Sequence, residues 1–165
     1  MNSPATSTYL PPLEVNHERE GVGQELQATL HELVDLSLIG KQLHWQVVGP
    51  LFRSLHLQLD ELVESWRELA DAVAERAVAL GFVPNGQAKA VGTGSQLAPV
   101  TPAALQDHLV VRELTHRIAE VSEQVRERMN RLGDADLASQ DVLIEVVREL
   151  EKQQWMLRAQ LGDHV

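Results

Sequence analysis

An all-α fold, with four long helices packed as one bundle, is what this 165-residue sequence predicts. Three observations point to it. Apolar residues recur at intervals of three to five along four long stretches, the spacing that gives a helix one buried face. Glycine and proline mark where those stretches stop. Hydrophobic residues make up 44% of the chain and charged residues 23%, the balance of a soluble globular protein. The length suits one domain with a core of its own.

Residues 1–17 read as a tail, broken by Ser, Thr and Pro11-Pro12, with the bundle domain spanning 18–165. The first helix runs from about Arg19 to Trp45 on a stripe of Val22, Leu26, Leu30, Leu33, Val34 and Ile39. Val47-Val48-Gly49-Pro50 ends it: Gly49 frees the backbone, and Pro50 disfavours a helical conformation at Gly49 while suiting the next helix's first turn. The second helix spans about Leu51 to Leu80, with Gly81 in the capping position. Residues 82–101 hold Pro84, Gly86, Gly92, Gly94 and Pro99 without a steady period and read as a long connection. Thr101-Pro102 is an N-cap and first-turn pair opening the third helix, which ends near Leu132-Gly133. The fourth follows Gly133-Asp134 and runs to about Leu161, with Leu143, Ile144, Val147, Leu150 and Leu157 inward. Connections that are short, long and short let helices two and three run parallel, which is the ferritin-like layout with a crossover.

Charge and composition narrow the function. The formal net charge of −10 and a pI near 5.1 argue against a general nucleic-acid-binding surface and fit a protein that handles cations. Zero cysteines remove disulfides, thiolate metal sites and cysteine nucleophiles. No apolar run approaches a membrane span and no signal-peptide pattern opens the chain, so it reads as soluble and cytoplasmic. Gly-rich phosphate loops, nucleophile elbows and zinc-protease helix motifs are absent. Histidines and carboxylates carry what chemistry there is.

On a helical wheel with His56 at zero, Asp60 falls near 40°, Asp71 near 60°, Glu64 near 80° and Glu75 near 100°. Leu59, Leu62, Val63, Trp66, Leu69 and Val73 occupy roughly 220–340°, the face toward the bundle. The polar set therefore points away from its own core. His56 and Asp60 are one turn apart, as are Asp71 and Glu75, and each pair can share an ion. Fifteen positions, roughly 22 Å, separate the pairs, so one helix cannot close both around one metal. Two copies of the helix crossing antiparallel about a two-fold axis can, giving two equivalent sites per interface. His44, just before the tight turn, is placed to lean over the same point. Two imidazoles and three carboxylates suit Fe(II), with Zn(II), Mn(II) and Co(II) as competitors. The plain alternative is a solvated charged face.

The stretch Lys41-Gln42-Leu43-His44-Trp45-Gln46-Val47-Val48-Gly49-Pro50, then Leu55-His56-Leu57-Gln58-Leu59-Asp60-Glu61-Leu62, then Asp71-Ala72-Val73-Ala74-Glu75-Arg76, resembles the Dps family, the mini-ferritins named as DNA-binding proteins from starved cells. Gln106-Asp107-His108-Leu109 and Glu151-Lys152-Gln153-Gln154-Trp155 fit too, the likeness covers about residues 22–160, and some variants look closest to actinobacterial members. The resemblance implies a homo-oligomeric hollow dodecamer that stores ferric mineral, with ferroxidase centres at its two-fold interfaces. His44, His56 and Asp60 match the ligands from one subunit, and Asp71 and Glu75 those from its mate. Trp45 matches the tryptophan beside the centre, a trap for oxidising equivalents or a packing residue of the interface. Hydrogen peroxide is the oxidant the family generally prefers to dioxygen. Glu61, and more weakly Glu64, are candidates for mineral nucleation, against a reading as solvated carboxylates. Asp134, Asp136, Asp141 and Glu145 are candidates to line a three-fold iron-entry pore, although helix N-termini attract acidic residues anyway.

Other signals compete weakly. Glu14/His17 and Glu113/His116 match Glu-x-x-His, but one lies in the tail and the other on helix three, away from the helix pair that an intra-subunit di-iron site needs. His31, His108 and His116 read as surface or capping residues, and His17 and His164 lie near the termini. The rival function is that of a nucleoid-associated protein protecting DNA in stationary phase or stress. Residues 1–18 hold no Lys or Arg, and twelve copies at −10 each carry about −120, so weak or absent DNA binding is expected. A third reading is a helical assembly protein whose charged face only sets dimer geometry.

Overall fold

Four long helices, α1 (His17–Gln46), α2 (Phe52–Ala79), α4 (Asp107–Leu132) and α5 (Leu137–Gln160), frame the computed structural model, with a short α3 (Ala88–Gly94) between the two halves. The structure describes residues 17–133 and 135–162. Residues 1–16 of the expected tail, Asp134 and His164 lie outside that range.

The predicted stripes are the buried ones, save that Val34 of α1 is only half-buried. Val22, Leu26, Leu30, Leu33 and Ile39 of α1 pack against Leu59, Leu62, Val63, Trp66, Leu69 and Val73 of α2 and against Leu143, Val147, Leu150 and Leu157 of α5. Ile144 is only half-buried, and Val146 takes an inward place instead. Gly40 sets how closely α1 passes α2: a Cβ there would stand 2.6 Å from the Trp66 ring and 2.8 Å from Val63. The fully buried Trp66 indole donates to Gln153 Oε1 at 2.7 Å, tying α2 to α5. Arg128 of α4 grips Glu32 of α1 at 2.5 and 2.6 Å, both side chains buried, so each charge has the partner its desolvation demands.

The connections decide the topology. Val47–Val48 (β1) and Leu105–Gln106 (β2) pair in parallel, with Val47 opposite Leu105. Nearby, the Leu51 N–H donates to Asp107 Oδ2 at 2.8 Å. The start of α4 is thereby fixed beside the start of α2, so the two run parallel, as a crossover requires. The chain is an all-α, ferritin-like bundle.

Two expectations need correction. Thr101-Pro102 does not open a helix. The β1–β2 pairing holds Leu105–Gln106 extended, and the helix begins only at Asp107, whose Oδ1 accepts from the His108 N–H at 2.7 Å. The connection is not featureless either, since Ala88–Gly94 forms α3 with Val91 buried. Seven residues with two glycines are too short to display a period. At the last helix, Asp136 is the N-cap and accepts from the Ser139 N–H at 3.3 Å.

Candidate metal centre

The turn after α1 brings the end of that helix against the first turns of α2, and there His44 meets His56. Gly49 makes the turn possible, with φ at +126°, and a Cβ on it would stand 2.7 Å from Asp107 Oδ2. The two imidazoles stack with centroids 3.6 Å apart and planes 25° apart. His44 Nδ1 donates to the His56 carbonyl at 2.9 Å, and His56 Nδ1 donates to the His44 carbonyl at 3.1 Å. A carbonyl oxygen only accepts, so the Nδ1 atoms carry the protons and each Nε2 keeps a free lone pair. Backbone carbonyls fixing the tautomer in this way are the usual support for metal-binding histidines. His44 is buried and His56 partly so.

Asp60 is one turn beyond His56. Its Oδ1 lies 3.4 Å from His44 Nδ1 and accepts from Lys41 Nζ at 2.6 Å. That Lys41 hydrogen bond, against some desolvation and with help from the neighbouring imidazoles, holds the Asp60 carboxyl below the usual aspartate range. Asp71 and Glu75 are exposed farther along α2. Fifteen residues of helix, roughly 22 Å, separate His56 from Asp71. Within one chain no three described histidine or carboxylate side chains are placed to hold an ion. The two imidazoles and Asp60 thus lie toward one end of the outward face of α2, and Asp71 and Glu75 lie toward the other.

Apolar surface rims the imidazole end. Trp45 is 70% exposed, Leu51 51%, Phe52 45% and Leu57 47%, and the Phe52 ring lies 5.0 Å from that of His56. Isolated exposed apolar residues are ordinary, whereas several gathered around one polar site mark a surface that meets something.

A family model described as a ferritin-like domain matches residues 23–164. The DNA protection during starvation protein of Mycolicibacterium smegmatis is 39% identical over 159 residues, covering 94% of this chain and 85% of that protein. The chain belongs to the Dps family. The crystal structure of Dps92 from Deinococcus radiodurans superposes on this Dps-family fold with a TM-score of 0.87 at 32% identity, covering 90% of each chain. The fine tangled pili major subunit of Haemophilus ducreyi is also similar, 38% identical over 146 residues, with 86% of this chain and 75% of that protein covered.

The remaining candidates of this Dps chain fall elsewhere. Glu61 and Glu64 are exposed on α2. The Asp136 carboxylate is engaged by Arg76 at 2.8 and 3.0 Å and by the Ser139 hydroxyl at 2.8 Å. Asp141 and Glu145 line a cleft between α2 and α5 together with Glu68 and Glu149. His31 Nε2 lies 3.0 Å from the Asn85 carbonyl, His108 sits beside Asp107, and Glu113 pairs with Arg117, so none of these joins a cage.

Two residues important to the site escaped the sequence reading. Lys41 stands one turn before His44, and that spacing was the available signal. Asp107 latches the α1–α2 turn from 56 residues away, and nothing local announces such a contact.

Proposed function

We propose that this chain is a ferroxidase and iron store whose centres are completed between two copies. His44, His56 and Asp60 of one copy face Asp71 and Glu75 of the other. The observation that carries the reading is the His44–His56 pair, with both Nε2 lone pairs free and the ring of exposed apolar side chains around it. A second copy crossing over α2 covers that rim and supplies the missing carboxylates, in two equivalent sites per two-fold contact. Membership of a ferritin-like family gives iron as the metal, and the nitrogen and oxygen donor set suits it, with Zn(II), Mn(II) and Co(II) as competitors.

Iron here is substrate. Two Fe(II) ions held together give up one electron each. Hydrogen peroxide takes both electrons and two protons, its O–O bond breaks, and two waters leave. A lone Fe(II) supplies only one electron and releases hydroxyl radical. Oxygen ligands favour the Fe(III) product, which moves on to mineral inside a dodecameric shell. Trp45, beside the centre, intercepts stray oxidising equivalents and packs the interface. Glu61 and Glu64 are offered as nucleation carboxylates, and Asp141 and Glu145, with Asp134 and Asp136, as pore residues.

The relatives' name speaks of DNA protection. At −10 per chain, protection by removing iron and peroxide fits better than coating of the duplex. The test is anaerobic loading with Fe(II) followed by peroxide, comparing the wild type with His44→Ala/His56→Ala. Rapid oxidation lost in a variant that keeps its assembly supports the ferroxidase, and equal rates exclude it.

A further inference from the structure

We propose that a groove between α4 and α5 is an oxyanion site for phosphate, separate from the metal centre and independent of its chemistry. Arg112 and His116, one turn apart on α4, line one wall, and Gln154 and Arg158, one turn apart on α5, line the other. The groove is open to solvent, with a volume of about 350 Å³. Thr115 also reaches it, but its hydroxyl is already donated to the Val111 carbonyl at 2.8 Å.

What sets the groove apart is the charge balance of its lining. The chain has 24 acidic residues against 14 Lys and Arg, and seven of these cations meet a carboxylate among the described residues. Arg76, Arg117, Arg126, Arg128 and Arg131 each meet a carboxylate. The cleft between α2 and α5 carries four carboxylates. This groove carries none, and the side chains of Arg112, His116, Gln154 and Arg158 have no hydrogen-bond or ion-pair partner among the described residues.

Two guanidinium forks, an imidazole and an amide thus face one space with donors and, among the described residues, no competing anion. Guanidinium groups pair in bidentate fashion with carboxylate or phosphate. The two walls select between these. A carboxylate offers two oxygens in one plane and satisfies one wall, whereas a tetrahedral phosphate offers oxygens in both directions. Its charge at neutral pH also matches the two arginines.

Metal-free, full-length protein titrated with inorganic phosphate in chloride buffer of constant ionic strength, read by calorimetry, tests the assignment. Saturable binding is expected, weakened about tenfold or more in Arg112→Gln/Arg158→Gln. Arg112→Lys/Arg158→Lys, which keeps the charge and loses the forks, is expected to fall between. An arsenate soak of wild-type crystals locates the anion without any variant, with density expected between α4 and α5. Absence of saturable binding, equal affinity in the Gln variant, or arsenate bound elsewhere overturns the proposal. A short duplex oligonucleotide held more tightly than phosphate, and released by the same substitutions, also overturns it by making the groove a nucleic-acid contact.

Discussion

Lys41 Nζ lies 2.6 Å from Asp60 Oδ1, so one proposed iron ligand is already paired with a cation of its own chain. The ammonium holds the carboxylate on the Nδ1 side of His44, opposite the free lone pair. Iron has to displace Lys41 to claim that oxygen. Replacing Lys41 with Met removes the competitor. Anaerobic Fe(II) titration of Lys41→Met is expected to show the midpoint shifted a few-fold to lower iron, and an unchanged midpoint contradicts this role for Lys41.

Gly49 is the tightest point of the turn that presents both imidazoles. Its φ of +126° is a conformation that side chains rarely adopt, and the added methyl would meet Asp107. Gly49→Ala is therefore expected to cost about 1–3 kcal/mol, read as a lower urea midpoint. If the methyl is instead tolerated without loss, the turn is less constrained than the contacts indicate.

Asp136 gives the bundle a dependence on acid. Burial pushes its carboxyl up, but hydrogen bonds from Arg76 and Ser139 outweigh that and leave it below the ordinary 3.8. A depressed folded value means that the linked stability is complete above about 3.8 and is lost as pH falls from there through the folded value. Asp136→Asn is expected to lower stability near neutral pH and to flatten the acid limb of the stability–pH curve. Parallel acid limbs for the two proteins would count against the assignment.

For DNA, the charge balance leads to a negative expectation. Plasmid mixed with the intact protein at physiological salt is expected to run unretarded in a gel. Tight retardation that disappears at higher salt would overturn it.

Much of this was legible in the residues because helical periodicity is a local property. The stripes from Val22 to Ile39 and from Leu59 to Val73 are buried as their spacing requires. Gly49-Pro50 marked the turn, and the wheel placed Asp60, Asp71 and Glu75 on one outward face of α2. The misreading at Thr101-Pro102 came from a long-range cause. A good local cap signal there loses to strand pairing with Val47-Val48, which lies more than fifty residues away. The helix Ala88–Gly94 was hidden by its length, and the latch from Asp107 to Leu51 by its separation in sequence. The reciprocal hydrogen bonds of His44 and His56 could not be read from spacing at all, since they depend on where two backbone carbonyls point.

The central claim is that each iron centre is shared by two chains, and subunit mixing tests it most directly. One chain carries His44→Ala/His56→Ala and the other Asp71→Asn/Glu75→Gln, and each alone is expected to be inactive. In a mixed pair, one site collects both sets of substitutions and the other collects none. Random co-assembly of equal amounts should therefore restore rapid Fe(II) oxidation by peroxide to about a quarter of the wild-type level. Mixed assemblies that stay as inactive as either parent would contradict a centre built across the two-fold contact.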